Sequence, residues 1–193
     1  MPFLRLALAQ LNVTVGDVTG NQRRIVEAIR QAPAWLADVV VVPELAIAGY
    51  PPEDLLLKPR FVEDCRQALA TVARWARGIT AIVGCVERDR SGRLFNSAAV
   101  LAEGRVAAIY HKRHLPNYGV FDEQRYFSPG RRDRLIRVRG VPIGLQICED
   151  LWVPGPPASD EARAGARLIV NISASPYQAG KGLTRERMFG ERA

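Results

Sequence analysis

Short apolar runs that alternate with helix-forming segments are the feature that most constrains how this chain can fold. The run 38–45, DVVVVPEL, is typical of a strand covered on both faces, and 141–150, VPIGLQICED, predicts a second buried strand. The segments 20–36 and 60–78 carry apolar residues at helical spacing, and Gly78 is expected to close the second helix. This alternation predicts an α/β fold built on a parallel or mixed sheet.

The rest of the chain continues the same alternation. Further strands are predicted at 4–13, 79–89 and 168–175, a hairpin at 94–112 that turns at Glu103 and Gly104, and helices at 159–167 and 184–193. The last helix has no C-cap, and no strand follows its apolar residues. We therefore expect a single domain, 1–193, that is incomplete at its C-terminus.

Composition excludes several protein classes. No stretch of about 18 uncharged apolar residues occurs, so no membrane span is expected. The N-terminal segment is typical of a first strand and not of a signal peptide. Cys65, Cys85 and Cys148 are odd in number and far apart, which favours neither a disulfide framework nor a zinc site. A reducing, cytoplasmic location is the natural expectation.

The net charge of +7 is concentrated in one stretch, 125–139, which reads RYFSPGRRDRLIRVR. Such a stretch can bind nucleic acid or an acidic partner, or it can form a solvated loop and an edge strand. No helix-turn-helix pattern, zinc finger or aromatic RNA-binding strand accompanies the charge. The solvated loop and edge strand are favoured, and no nucleic-acid partner is expected.

Three predicted strand ends carry reactive side chains. Glu44 follows one buried strand, Lys112 ends the hairpin, and Cys148 follows another strand. A sheet could bring these ends together at one edge. A carboxylate within reach of a thiol can take its proton, and an ammonium beside both can stabilise negative charge on a carbonyl oxygen. The three residues could therefore act together as an activated sulfur nucleophile that attacks a carbonyl group.

Each residue also has a structural alternative. Glu44 could cap a turn, Lys112 could be a solvated base, and Cys148 could be a buried structural thiol. Cys65, within a helix, and Cys85, within a strand, are interpreted as structural. None of the three reactive residues is specific on its own.

His111 and His114 form an HxxH pattern. A metal site would need a third ligand and a helix that presents both rings, and neither is evident in the sequence. The two histidines are therefore interpreted as flanking residues of Lys112, and no metal ion is expected.

Five sequence blocks make the pattern more specific, and they occur in the order RLALAQLNVTVGDVTGN, VVPELAIAGYPPEDLL, HKRHLPNYGVFDEQRYF, QICEDLW and NISASPYQAGK. In these blocks the chain resembles the nitrilase, or carbon–nitrogen hydrolase, superfamily with its Glu–Lys–Cys triad. The GYPPEDLL, LPNYGVFDE and CEDLW blocks resemble more narrowly the glutamine-amidotransferase domains at the N-terminus of bacterial glutamine-dependent NAD⁺ synthetases. The resemblance extends over essentially the whole chain.

The resemblance implies roles for individual residues. Glu44 matches the general base, Lys112 the lysine that supports the oxyanion, and Cys148 the nucleophile. Glu123 matches a second glutamate that positions the lysine. The positions that match glutamine-binding groups are Tyr118, Glu149, Trp152, Ser175 and Lys181.

The resemblance also implies a fold and a reaction. The fold would be an α-β-β-α sandwich with mixed sheets, of which the C-terminal part is missing. The reaction would be hydrolysis of the glutamine side-chain amide, without a cofactor, with ammonia passed to a synthetase domain that uses ATP and Mg²⁺. No SGGxDS-type loop or Walker loop occurs in these residues, so that domain is absent here. The full-length form is expected to be a homo-oligomer.

Two other functions stay open at this point. A stand-alone amidase of the nitrilase type would use the same triad on another small amide. A non-catalytic module would instead use the basic stretch 125–139 to dock an acidic partner or RNA.

Overall fold

The computed structural model describes residues 3–192, and its helices and strands alternate as the apolar runs predict. The strands are β1 (Leu6–Leu8), β2 (Val39–Val41), β3 (Thr80–Arg88), β4 (Leu94–Ala102), β5 (Arg105–His111), β6 (Leu135–Val138), β7 (Val141–Ile147) and β8 (Leu168–Ile172). The α-helices are α1 (Val18–Gln31), α2 (Pro59–Ala73), α3 (Glu149–Trp152), α4 (Ala158–Arg163) and α5 (Lys181–Arg192). Short 3₁₀ turns occupy Ala32–Trp35, Glu53–Leu57 and Glu123–Arg125.

The strands form two mixed sheets. The first has the order β1-β2-β3-β4-β5. Strands β1, β2 and β3 are parallel to one another, and β4 is antiparallel to both β3 and β5. The second has the order β6-β7-β8, with β6 antiparallel and β8 parallel to β7. Because β5 is antiparallel to β4, it runs in the same direction as β2, and the two strands end at the same side of the sheet.

Side-chain alternation along β2 explains how the layers stack. Val40 and the following Val42 pack with α1 and α2 in one apolar cluster. Val39 and Val41 point the other way, into a second cluster shared with Ile143 and other residues of the second sheet. A strand buried on both faces must be apolar at every position, which is the continuous run seen in the sequence.

The far face of the second sheet is covered by α4, whose Glu161 is buried against β7. The layers are therefore helices, sheet, sheet and helix. The predicted α-β-β-α sandwich with mixed sheets is confirmed.

Several element boundaries differ from the predictions. Strand β1 spans only Leu6–Leu8 of the predicted 4–13, and α1 ends at Gln31, before a 3₁₀ turn, and not at residue 36. Helix α2 ends at Ala73, well before Gly78, because its last residues switch to the tighter bonds Arg74 N–H to Thr71 O and Trp75 N–H to Val72 O. Helix α5 begins at Lys181, earlier than predicted, and Ala193 lies outside the described residues.

The basic stretch contains the edge strand that was predicted, because β6 pairs only with β7 within residues 3–192. Several of its arginines have acidic neighbours: Arg125 lies 3.5 Å from Asp54, and Arg139 lies 2.5 Å from Asp38. None of the helices within residues 3–192 is long and apolar enough to cross a membrane.

Candidate active site

The three reactive strand ends meet at one end of the sandwich. Glu44 lies in the loop after β2, Lys112 directly follows β5, and Cys148 directly follows β7. The hypothesis that one sheet edge gathers all three is wrong, because β2 and β5 belong to the first sheet and β7 to the second. The residues converge instead across the interface between the sheets.

A close approach of backbones holds the Glu44 loop in place. A Cβ atom at Gly84 of β3 would lie 2.2 Å from Pro43 O and 2.4 Å from Leu45 N, so only glycine allows the loop to fold onto the strand. Leu45 has a φ of 47°, which turns the chain immediately after Glu44. The strain of this turn is typical of functional loops.

Lys112 is the centre of a buried ion cluster. Its side chain is 1% exposed, and its Nζ lies 2.7 Å from Glu44 Oε1 and 2.7 Å from Glu123 Oε1. Burial opposes the charge of Lys112, but the two carboxylates outweigh it and raise the pKa of the ammonium. Burial raises the pKa of Glu123, and Lys112 opposes that rise. The interpretation of Lys112 as a solvated base is therefore wrong.

Neutral donors complete the hydrogen bonding of this cluster. Asn96 Nδ2 donates to Glu44 Oε1 at 2.8 Å and to Glu123 Oε2 at 3.3 Å. The Tyr50 hydroxyl donates to Glu123 at 3.1 Å, and the Ala174 N–H donates to Glu44 Oε2 at 3.0 Å. Sequence reasoning missed these partners. Asn96 had a usable signal, since it is a polar residue within an otherwise apolar strand.

Cys148 occupies a strained turn between β7 and α3. Its φ of 45° and ψ of −98° are uncommon for a residue with a side chain, and such a conformation costs about 1–3 kcal/mol. Its N–H donates to Ile172 O at 2.8 Å, which ties the turn to β8. A strained turn that presents a nucleophile is a recurring arrangement in hydrolases.

The surroundings of Cys148 favour its neutral thiol form. Burial raises its pKa to about 12, the Glu44 charge adds to the rise, and Lys112 together with a hydrogen bond from Ser173 opposes it. A neutral thiol is a weak nucleophile until it loses its proton, and Glu44 has the largest effect of any charged neighbour on the pKa of this thiol.

Cys148 lines a cavity of about 490 Å³. Within it, the Tyr118 hydroxyl donates to both oxygens of Glu149, at 3.0 and 2.9 Å, and burial raises the pKa of Tyr118 to about 12. Lys181 Nζ donates to Ser175 Oγ and lies 5.4 Å from the centre of the Trp152 ring. Further lining residues, not predicted, are Phe121, Gln178, Ala179, Gly180 and Thr184.

The cavity thus brings together every residue that the sequence placed near a substrate, namely Tyr118, Glu149, Trp152, Ser175 and Lys181. They come from three separate segments. Tyr118 lies before the 3₁₀ turn that begins at Glu123. Glu149 and Trp152 are the first and last residues of α3, whereas Ser175 lies before α5 and Lys181 begins it. Their roles towards a substrate stay predictions.

The remaining candidates lie apart from this cavity. Burial raises the pKa of both Cys65 and Cys85 to about 12, and both side chains are packed in the core between the first sheet and its helices. His111 Nε2 lies 2.7 Å from Glu87, whereas His114 Nε2 lies 2.9 Å from Pro156 O. The two histidine rings therefore have different neighbours and do not share a site.

Comparison with known sequences decides the family. Residues 5–190 match the sequence model of the family described as "Carbon-nitrogen hydrolase". The chain belongs to the carbon–nitrogen hydrolase family. Family membership confirms the predicted enzyme class, a hydrolase.

This carbon–nitrogen hydrolase chain is similar to longer proteins. It is 50% identical over 192 residues to a glutamine-dependent NAD(+) synthetase of Xanthomonas campestris, and the match covers 98% of the chain but 34% of the relative. A second synthetase, from Thermotoga maritima, is 42% identical, with 100% and 34% covered. The chain therefore spans about a third of the length of these relatives.

Solved structures agree on the fold. A glutamine-dependent NAD⁺ synthetase from Acinetobacter baumannii superimposes with a TM-score of 0.93 at 34% identity, covering 97% of this chain and 35% of that one. An amidase from Nesterenkonia sp. has a TM-score of 0.84 at 24% identity, with 98% and 71% covered, and supports the fold alone.

Proposed function

We propose that this carbon–nitrogen hydrolase chain hydrolyses the side-chain amide of glutamine, with Cys148 as nucleophile, Glu44 as general base and Lys112 as the oxyanion-stabilising cation. One observation carries the proposal. The Cys148 thiol lies on a strained turn and lines a cavity, and its charged neighbours include Lys112 and Glu44, a buried pair whose Nζ and Oε1 atoms are 2.7 Å apart. The names of the similar synthetases support glutamine as the amide.

Acylation is the first half of the reaction. The Glu44 carboxylate accepts the thiol proton while the Cys148 sulfur bonds to the amide carbon, and the amide oxygen becomes an oxyanion beside the Lys112 ammonium. General-base help contributes about 10²–10⁴-fold. One oxyanion donor contributes roughly 10²–10³-fold. The carbon–nitrogen bond then breaks, the proton on Glu44 passes to the leaving nitrogen, and ammonia departs from a glutamyl thioester.

Deacylation reverses these roles. Glu44, again ionised, accepts a proton from water as the water oxygen attacks the thioester carbon. The carbon–sulfur bond breaks and the sulfur recovers the proton held by Glu44. Glutamate leaves, and the neutral thiol is restored. Glu123 contacts Lys112 at 2.7 Å and keeps the ammonium oriented throughout.

The charges in the cavity suit the other end of the substrate. Free glutamine carries an ammonium and a carboxylate on its α-carbon. The Glu149 carboxylate and the Lys181 ammonium both line the cavity, so it offers one partner of each sign. Tyr118, Trp152 and Ser175 contact these two groups and would hold them in place.

For the whole protein we propose that ammonia passes to a synthetase domain, which would use ATP and Mg²⁺ to complete glutamine-dependent NAD⁺ synthesis in the cytoplasm. A homo-oligomeric full-length enzyme belongs to the same proposal. The names of the relatives support it, and the chain spans about a third of their length.

The test is mass spectrometry after incubation with a glutamine-analogue diazoketone. We expect one adduct, on Cys148, lost in Glu44→Gln and Lys112→Ala. Cys65→Ala and Cys85→Ala serve as matched controls, because both thiols are buried away from the cavity, and these variants should label like the wild type. An adduct on Cys65 or Cys85 contradicts the site assignment.

Substrate choice is tested by ammonia release from glutamine, asparagine and simple aliphatic amides. We expect glutamine to have the highest kcat/KM, and Glu149→Gln to raise KM for glutamine but not for an aliphatic amide without an ammonium. Equal turnover of all substrates would support a stand-alone amidase and remove the glutamine assignment.

A further inference from the structure

Asp150, the second acid after Cys148, has no role in the mechanism proposed above. Its side chain is fully buried, and the cavity around Cys148 is lined by Glu149 but not by Asp150. Helix α3 begins at Glu149, and the two neighbouring acids point in different directions, one towards the substrate cavity and one into the protein. Removing a carboxylate from water is costly unless hydrogen bonds or opposite charges offset the loss, so the partners of Asp150 indicate what it holds in place.

Four donors converge on the Asp150 carboxylate. Oδ1 accepts from Arg113 N at 2.9 Å and from His114 N at 2.8 Å. Oδ2 accepts from the Tyr110 hydroxyl at 2.7 Å and from Ile147 N at 3.0 Å. Three of the four donors are backbone N–H groups, which cannot reverse their direction, so an amide NH₂ in place of Oδ2 would face the Ile147 N–H.

These donors flank the two reacting residues. Tyr110 and Arg113 lie on either side of Lys112 in the chain, at the end of β5 in the first sheet. Ile147 directly precedes Cys148, at the end of β7 in the second sheet. The single carboxylate of Asp150 therefore joins the segment of Lys112 to the segment of Cys148.

Besides the bond from Ala174 N–H to Glu44, many contacts between the sheets at this point are apolar and have no directional preference. Tyr110 and Ile147 belong to the apolar cluster that fills the space between the two sheets. Apolar burial holds surfaces together but does not specify a register to a fraction of an ångström. Hydrogen bonds to a fixed carboxylate do specify it, because both distance and angle are constrained.

We propose that Asp150 is a positioning residue that holds the Lys112 and Cys148 segments in register across the two sheets. The inference rests on the proposed function, in which the ammonium must meet the oxyanion formed at the sulfur. A misplacement of about 1 Å can cost about 10²-fold in rate. Asp150 would act through Lys112 and Cys148 without touching the substrate.

The first experiment compares Asp150→Asn with Glu161→Gln. Glu161 is the matched control, because it is also fully buried and accepts from β7, at Leu145 N and Gln146 Nε2, but its hydrogen bonds reach no residue next to Lys112 or Cys148. We expect Asp150→Asn to lower kcat for ammonia release by roughly 10- to 100-fold with little change in KM. Glu161→Gln should retain the kcat of the wild type.

The second readout requires no turnover. Iodoacetamide alkylates Cys148 through its thiolate, which the nearby Lys112 charge stabilises. If Asp150→Asn lets the two segments drift apart, the thiolate loses stabilisation by Lys112. The alkylation rate at pH 8 should then fall by roughly threefold or more, which corresponds to a rise of about 0.5 in the pKa of Cys148. The rate for Glu161→Gln should match the wild type.

The outcomes separate the two proposals. Failure of the wild-type chain to release ammonia from any amide would overturn the proposed function, and the alkylation rates would still decide the role of Asp150. Wild-type kcat and alkylation in Asp150→Asn, alongside inactive Cys148→Ala, would overturn the positioning role and leave the proposed function standing.

Tyr110→Phe covers the case in which Asp150→Asn does not fold. It removes one of the four donors and introduces no new polar group, so we expect a decrease in kcat of about fivefold, the size of one ordinary hydrogen bond. A Tyr110→Phe variant with unchanged kcat and alkylation rate would then overturn the positioning role.

Discussion

Buried carboxylates occur at two separate places in this protein, and their burial is compensated in different ways. The site cluster consists of Glu44 and Glu123 around Lys112. The rear cluster consists of Glu161 of α4 and the two groups that donate to it, Leu145 N at 2.9 Å and Gln146 Nε2 at 2.8 Å. The site cluster contains a cation, whereas the hydrogen-bond partners of Glu161 are neutral.

The difference shows what burial alone does to a carboxylate. Burial raises the pKa of Glu161 to about 7, and its two neutral donors only partly oppose the rise. In the site cluster, the Lys112 charge opposes the same effect on Glu123 and lies 2.7 Å from Glu44. The buried ammonium of Lys112 thus opposes the effect of burial on the pKa of Glu123, whereas the hydrogen-bond donors of Glu161 carry no charge. Four predictions test this comparison, in order of decreasing effect.

Removing the cation should have the largest effect. Lys112→Met keeps the length of the side chain but leaves two buried carboxylates without their partner, which typically costs about 3–5 kcal/mol. We expect the loss of unfolding free energy, measured by urea denaturation at pH 8, to shrink as the pH falls and the carboxylates bind protons. An equal loss at all pH values would contradict the ionic interpretation of the site cluster.

The rear cluster should make stability depend on pH. The folded pKa of Glu161, about 7, lies above its ordinary value of 4.5, so the folded state binds more protons between these values. This contribution is fully present below pH 4.5 and is lost as the pH rises through 7, by up to about 3 kcal/mol. Urea denaturation from pH 4 to 8 measures it.

Glu161→Gln provides the comparison for that measurement. Gln146 Oε1 is buried without a partner among residues 3–192, so an amide at position 161 has an acceptor within its surroundings. The difference in stability between wild type and variant should change over pH 4.5–7 and be constant above it. A difference independent of pH over this range would show that the folded pKa of Glu161 is not raised.

Removing a neutral donor from the site cluster should have an intermediate effect. Asn96→Ala deletes the donor that Glu44 and Glu123 share, at 2.8 and 3.3 Å. We expect a loss of about 1–3 kcal/mol, together with a lower kcat for ammonia release, because Glu44 is no longer oriented. Unchanged kcat with reduced stability would limit Asn96 to a structural role.

The equivalent change in the rear cluster should have the smallest effect. Gln146→Leu removes one donor to Glu161 but also removes the unpartnered oxygen, so the two contributions partly cancel. We expect a change of less than about 1 kcal/mol at pH 5, with ammonia release unaffected. A loss as large as that of Asn96→Ala would mean that both clusters depend equally on neutral donors.

Much of the fold was predictable because its signals are local. The continuous apolar run before Glu44 predicted a strand buried on both faces, and β2 is one. The hairpin around Glu103 and Gly104 was predicted from its turn residues and is confirmed as β4 and β5. The end of α2 was misplaced, since the switch to tighter bonds at its C-terminus has no distinct sequence signal.

Partners of the site were harder to predict than the site residues. Glu44 and Cys148 stand out because each reactive side chain follows an apolar strand. Tyr50, by contrast, lies in a loop with several prolines, and only the folded chain brings its hydroxyl within 3.1 Å of Glu123. Asp150 stands beside Glu149 as one of two adjacent acids, and nothing in the sequence separates their roles.

The sequence by itself determined which segments become strands and therefore which reactive residues stand at strand ends, because strand formation follows from local apolar patterning. Only the tertiary structure decided that Lys112 is buried between two carboxylates, and that Cys148, after a strand of the other sheet, comes near enough for their charges to affect its pKa. Burial and long-range distance depend on how the two sheets pack, and packing is a property of the whole chain.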